Sequence, residues 1–171
     1  MPRHVAFLRG VSPLNAKMPE LKRCFEQAGF DNVKTVLASG NVVFDARAGS
    51  ERTLAARIEA AMAQHLGRRF YTIVRSTHAL DALIAADPYA AFRVPPAAKR
   101  VVTFLREPRK ERVALPPEIE GVRMLAVAGA DIFTVYVPQP GNPAFMRLIE
   151  KTFGADVTTR TWDTVKKCAA A

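Results

Sequence analysis

The chain has 171 residues, enough for one ordinary domain or for two small halves that share an interface. Hydrophobic residues make up 49%, so a packed core is expected rather than disorder, and no apolar run approaches the ~20 residues needed to cross a bilayer. The net charge of +9, from 25 basic and 16 acidic residues, favours anionic partners: nucleic acid, nucleotide or acidic protein.

The first element is a strand, Arg3–Arg9, and no signal-peptide pattern precedes it. Residues 12–17 form a loop with Pro13 and Asn15. A helix follows, with Pro19 in its first turn and Gly29 past its end; Leu21, Cys24, Phe25 and Ala28 line one apolar face. Strands are expected at Val33–Leu37 and Asn41–Asp45, joined by Ala38-Ser39-Gly40. Ser50 caps a second helix with Leu54, Ile58, Ala61, Met62 and His65 on one side. Phe70–Arg75 is a fourth strand, so the order is βαββαβ, and Ser76–Ala86 adds an extra helix.

The Pro- and Ala-rich stretch from Pro88 to Ala98 is the expected boundary, dividing the chain into 1–90 and 91–171. After it the first strand returns: Arg3-His4-Val5-Ala6-Phe7-Leu8-Arg9 and Arg100-Val101-Val102-Thr103-Phe104-Leu105-Arg106 agree at five of seven positions. A second echo follows, since Val33-Lys34 stands seven residues before Gly40 and Val122-Arg123 seven before Gly129. Glu107 to Glu118 carries Pro108, Pro116 and Pro117, leaving room for one short helix at most. Val122–Val127 and Asp131–Val137 flank the turn at Gly129. Asn142 and Pro143 open a helix lined by Phe145, Leu148, Ile149 and Phe153. A strand at Asp156–Thr159 and a final helix capped by Thr161 complete the chain. The expected fold is α+β: two tandem ferredoxin-like βαββαβ halves with antiparallel sheets, the second with a weak first helix and a C-terminal helix.

Chemistry is less legible. The basic excess is shared between the halves and is densest from Arg93 to Arg112, with seven basic residues against two acidic; a solvated basic surface is the favoured account of it, because no basic residues run consecutively for more than two positions. Cys24 and Cys168 fall on apolar stripes and read as buried thiols. Neither GxGxxG nor GxxxxGK(S/T) occurs, which argues against a dinucleotide or triphosphate loop. The histidines His4, His65 and His78 are scattered, so neither a nucleophile system nor a metal site is indicated, and no cofactor is expected. Phe7, Phe44 and Phe104 read as core rather than as base-stacking platforms of an RNA-binding sheet.

One constellation remains. In a split-βαβ sheet the first and third strands are antiparallel neighbours, so Arg9-Gly10 meets Ser39-Gly40-Asn41 at one sheet end. A guanidinium, a hydroxyl, an amide and an accessible backbone N–H there suit a phosphate or carboxylate, with Lys17 adding charge. The competing reading is that these residues satisfy the turn. In the tail, Arg160 is a further anion candidate, and Trp162 reads as the anchor of the last helix.

The runs Val5-Ala6-Phe7-Leu8-Arg9-Gly10, Met18-Pro19-Glu20-Leu21, Ala28-Gly29-Phe30, Val33-Lys34-Thr35, Ser39-Gly40-Asn41-Val42-Val43-Phe44 and Thr158-Thr159-Arg160-x-Trp162-x-Thr164-Val165 closely resemble an uncharacterised bacterial family, domain of unknown function number 1697. The resemblance implies an α+β fold of two ferredoxin-like halves and no established activity. Family members often carry Asn-Val-Gly-Gly after the Arg-Gly, where this chain has Val11-Ser12-Pro13-Leu14; Asn15 and Lys17 remain as polar candidates. Thr161 replaces the family's Asn before Trp162.

The readings carried forward are therefore three. The first is a cytoplasmic, non-catalytic binding module for an anionic ligand, nucleotide or nucleic acid, at Arg9, Gly10, Asn15, Lys17, Ser39, Gly40, Asn41 and Arg160. The second is an enzyme acting on a phosphorylated or carboxylated small molecule. The third is a protein–protein module using an exposed sheet edge. No membrane partner is expected, and the oligomeric state is open.

Overall fold

The computed structural model describes residues 1–47, 49–109 and 114–171. The chain divides into two compact units, Met1–Ala82 with Lys166–Ala171, and Leu83–Val165. Each holds a four-stranded antiparallel sheet, and the fold is α+β.

In the first unit the elements are β1 (Arg3–Leu8), α1 (Met18–Gln27), β2 (Asp31–Val36), β3 (Asn41–Asp45), α2 (Glu51–Leu66) and β4 (Thr72–Ser76), and α3 (Thr77–Ala86) follows. The sheet order is β2-β3-β1-β4, the split-βαβ order that follows when each of two helical crossovers joins strands separated by one antiparallel neighbour. Period-two alternation decides which side chains face the helices. Ala6 and Leu8 of β1, Val42 and Phe44 of β3 and Val74 of β4 join Leu21, Cys24 and Phe25 of α1 and Leu54, Ile58 and Met62 of α2 in one core. Phe44 is its centre, with the rings of Phe30 at 4.6 Å and Phe25 at 5.7 Å. Ser50 caps α2 by accepting a hydrogen bond from the Thr53 N–H at 3.1 Å. His65, read from the sequence as part of the apolar stripe of α2, is exposed in its last turn. At the other end of β1, Arg3 meets Asp45 at 2.9 Å, and Asn32 donates to the same carboxylate at 2.7 Å. The Asn32 hydrogen bond, aided by Arg3, holds the Asp45 carboxyl below the ordinary aspartate range.

The second unit contains β5 (Lys99–Leu105), β6 (Val122–Ala128), β7 (Asp131–Tyr136), α4 (Ala144–Phe153) and β8 (Val157–Thr161), and α5 (Trp162–Ala170) follows. Its sheet order, β6-β7-β5-β8, repeats the first. Leu105, Met124, Ile132 and Val157 pack with Leu148, Ile149 and Phe153 of α4. Between β5 and β6 the described residues contain no helix, so the expected short first helix has no counterpart there; residues 110–113 of that stretch lie outside the described residues. Pro108, Pro116 and Pro117 each lack an N–H and fix φ, which opposes a helix in the residues around them. The Pro- and Ala-rich connection is more than a linker. Tyr89 within it is buried, donates its hydroxyl to the Val101 carbonyl at 2.7 Å, and packs edge-on against Trp162 and Phe133. Burial pushes the Tyr89 phenol well above the ordinary tyrosine range.

The duplication runs past the strand that reveals it. Val5 faces Arg75 across β1–β4, and its counterpart Val102 faces Arg160 across β5–β8. Each arginine donates to the carbonyl of the residue before it, at 3.1 Å for Arg75 and 2.7 Å for Arg160. The next residue caps the following helix in both cases: Ser76 accepts from the Ala79 N–H at 3.0 Å and Thr161 from the Thr164 N–H at 3.3 Å. The repeated unit is thus a sheet with a trailing helix, entered through Arg-Ser or Arg-Thr.

Candidate functional site

The candidate residues of the first unit lie at the C-terminal end of β1, where two loops meet. Phe7 stands opposite Asn41, and the chain goes on past β1 with the Leu8 N–H bonded to the Gly40 carbonyl and the Arg9 N–H to the Tyr71 carbonyl, both at 2.9 Å. Arg9 is half-buried and Gly10 is exposed. The two loops are seated on each other at Gly40. A Cβ there would lie 2.9 Å from the Val11 Cβ and 3.1 Å from both the Cβ and the carbonyl oxygen of Leu8, and the backbone sits at φ +89°. Only glycine meets both conditions without displacement.

Two asparagines lock the loops. The Asn15 amide donates to the Gly10 carbonyl at 2.7 Å, and its oxygen accepts from the Ser12 N–H at 2.9 Å, closing residues 10–15 into a ring. Asn41 is fully buried; its amide donates to the Val36 carbonyl at 2.9 Å and to the Ser39 hydroxyl oxygen at 3.1 Å, fixing the β2–β3 turn. Both amides therefore serve loop geometry. Lys17 is exposed at the N-cap position of α1 and makes no side-chain cap bond. Ser39 is exposed on the turn. The structure thus brings Arg9, Gly10, Asn15, Ser39, Gly40 and Asn41 together through two packed loops, with Lys17 at the end of the first. Arg160 belongs to β8 of the second unit, where it is half-buried.

Asn15 also lines an open groove of about 410 Å³ whose walls carry Glu20, Arg23 and Gln27 of α1 and His65 of α2. Ala16 and Leu66 also line it, and both belong to or pack against the first core. The sequence reading missed this groove, because Glu20, Arg23 and Gln27 look like an ordinary solvated helix face until α2 is placed beside them. It also missed Arg75, a buried arginine 3.6 Å from Glu51. The signal was available: Arg75-Ser76 and Arg160-Thr161 occupy matching places in the two repeats.

The aromatic rings do not form a stacking platform. Phe7, Phe44 and Phe104 are fully buried, and Trp162 is 5% exposed. At the start of β1, His4 is buried against Phe44, with ring centroids 5.7 Å apart, and its Nδ1 has no hydrogen-bond partner. Burial lowers the His4 pKa, opposed by the Glu51 charge. Cys24 and Cys168 are both buried. Among the described residues no helix is long and apolar enough to cross a membrane.

A family model described as "Protein of unknown function (DUF1697)" matches residues 1–133. The chain belongs to this family. The match takes in both loops of the candidate site and the groove. Among solved structures, "The structure of conserved bacterial protein SP0830 from Streptococcus pneumoniae" is similar to this DUF1697 protein, with a TM-score of 0.73 and 18% identity over 99% of this chain and 97% of that one. At that identity the likeness concerns the fold. None of the curated proteins matches the chain.

Proposed function

We propose that this DUF1697 protein is a cytoplasmic, non-catalytic binding module for an anionic ligand, a nucleotide or nucleic acid, held at the C-terminal end of β1. The observation that carries the reading is the cross-locking of two loops there by Asn15, Asn41 and Gly40. Loops fixed in this way lose little conformational entropy on binding, so the donors they carry are preorganised for a ligand. Those donors are the Arg9 guanidinium, the Lys17 ammonium, the Ser39 hydroxyl and the backbone around Gly10, a set that matches a phosphate or carboxylate. The net charge of +9 acts in the same direction by raising the local concentration of anions. Because Phe7 and Phe44 are buried, recognition by base stacking on the central strands is not part of the proposal. Arg160 is treated as a separate anion contact on the second sheet.

The test is fluorescence anisotropy on mixed-sequence oligonucleotides and on labelled nucleotides across a range of salt. Binding that weakens with salt is expected. Arg9→Ala and Lys17→Ala should each weaken it and lower the salt slope by about one unit on nucleic acid, with circular dichroism unchanged. Arg160→Ala is measured alongside as an independent contact. No binding to any of these anions at low salt would refute the reading.

A further inference from the structure

The first loop, between Arg9 and Lys17, runs into the groove between α1 and the end of α2 through Asn15 and Ala16. Asn15 belongs to both: its amide is bonded to the Gly10 carbonyl at 2.7 Å, and it lines the groove wall. The groove's volume of about 410 Å³ falls within the range of small-molecule sites. Its lining is mainly polar, with Ala16 and Leu66 as apolar members. Arg23 supplies a guanidinium, His65 an imidazole, Gln27 an amide and Glu20 the single carboxylate. On α1, Glu20, Arg23 and Gln27 stand at i, i+3 and i+7, so the helix repeat sets them along one face.

A bare inorganic anion has no use for that carboxylate. Beside a cluster of cations, a carboxylate is an acceptor for hydroxyl or amine hydrogens on the uncharged part of a ligand. We infer that the groove is the second half of the anion site and takes the hydroxyl-bearing body of a phosphate monoester, with the phosphate at Arg9 and Lys17 and vicinal hydroxyls donating to Glu20. Ribonucleotides and sugar phosphates share this chemistry. The inference rests on the proposed anion site and adds the ligand class to it.

Isothermal titration calorimetry with four probes separates the outcomes: a ribonucleoside monophosphate, its deoxy analogue, ribose phosphate and inorganic phosphate. The expected result is that a hydroxyl-rich monoester binds about tenfold more tightly than the deoxy analogue or inorganic phosphate, the scale of one hydrogen bond to a charged group. Glu20→Gln should reduce that preference without weakening inorganic phosphate binding, since it removes a negative charge beside the anion. Amide and imidazole NMR signals of Gln27 and His65 should move with the hydroxylated probes and not with inorganic phosphate. If the ribonucleotide alone shows the preference, the base also occupies the groove; if ribose phosphate matches it, the sugar suffices. Equal affinity for all four probes, with shifts confined to residues 9–17 and 39–41, overturns the groove and leaves the anion site standing. No binding by any probe overturns the groove as a monoester site, and the oligonucleotide titration then decides whether the anion site stands for nucleic acid. Glu20 is exposed and makes no hydrogen bond or ion pair among the described residues, so Glu20→Gln is expected to fold normally.

Discussion

Replacing Gly40 by alanine tests the seating of the two loops more directly than any charge change. The backbone there is left-handed at φ +89°, a conformation that costs a non-glycine residue ~1–2 kcal/mol. The new methyl would also stand 2.9 Å from the Val11 Cβ and 3.1 Å from the Leu8 Cβ and carbonyl oxygen. None of these atoms is the far end of a flexible side chain. One is backbone, and the others are Cβ atoms of residues whose main chain is held in place: Leu8 donates its N–H to the Gly40 carbonyl at 2.9 Å. Relieving such overlap costs a further ~1–3 kcal/mol, so the whole effect is about 2–5 kcal/mol. Gly10 is the internal control. Its φ is +83°, yet a Cβ there would meet nothing within 4 Å, so Gly10→Ala carries only the backbone part, ~1–2 kcal/mol. Urea unfolding of the two variants, followed by the fluorescence of a probe on the first unit, measures the difference. Gly40→Ala should be the less stable of the two and should also weaken anion binding. Equal destabilisation by the two substitutions would refute the packing of the turn against the end of β1.

Three further outcomes follow from buried polar groups. His4 has a folded pKa below the ordinary 6.5 because of burial, so the unfolded chain takes up its proton first. Its contribution to stability is complete above pH 6.5 and declines as pH falls below that value toward the depressed folded pKa; in His4→Gln, urea midpoints should lose this slope, and an unchanged slope would assign it elsewhere. Asn41→Ala removes the amide bonds to the Val36 carbonyl and the Ser39 hydroxyl from a fully buried position, a loss of ~1–3 kcal/mol by urea unfolding; a change below ~0.5 kcal/mol would mean the turn holds without the amide. Tyr89→Phe keeps the ring packing on Trp162 but loses the 2.7 Å bond to Val101, so it should cost ~1 kcal/mol, and alkaline absorbance titration should lose a phenol that resists ionisation.

The layout of the chain was written in its local chemistry. The repeated Arg-x-Val-x-Phe-Leu-Arg strand became β1 and β5, the central strands of two sheets with the same order, because apolar alternation and turn residues are read out within a few positions. Asn41–Asp45 begins and ends as a strand where the sequence suggests, since Gly40 and Asn41 punctuate it. Other limits moved by one or two residues: Thr161 closes β8 as well as capping α5. The first helix of the second half was the weak point, and prolines were the warning.

The site was only half legible. Sequence placed Arg9 and Ser39-Gly40-Asn41 at one sheet end, because antiparallel neighbours bring the end of one strand to the start of the other. It did not say that Asn15 and Asn41 turn their amides inward, since a polar side chain near a turn serves a ligand or the backbone with the same composition. Nor did it reveal the groove, whose walls come from residues 15–27 and from His65, 38 to 50 positions apart and joined only when α1 and α2 pack on one sheet. Periodicity and punctuation act along the chain, so the sequence alone determined the elements, their order and the duplication. Convergence of distant side chains, and the choice of which polar groups face inward, depend on packing in three dimensions, and these the tertiary structure decided.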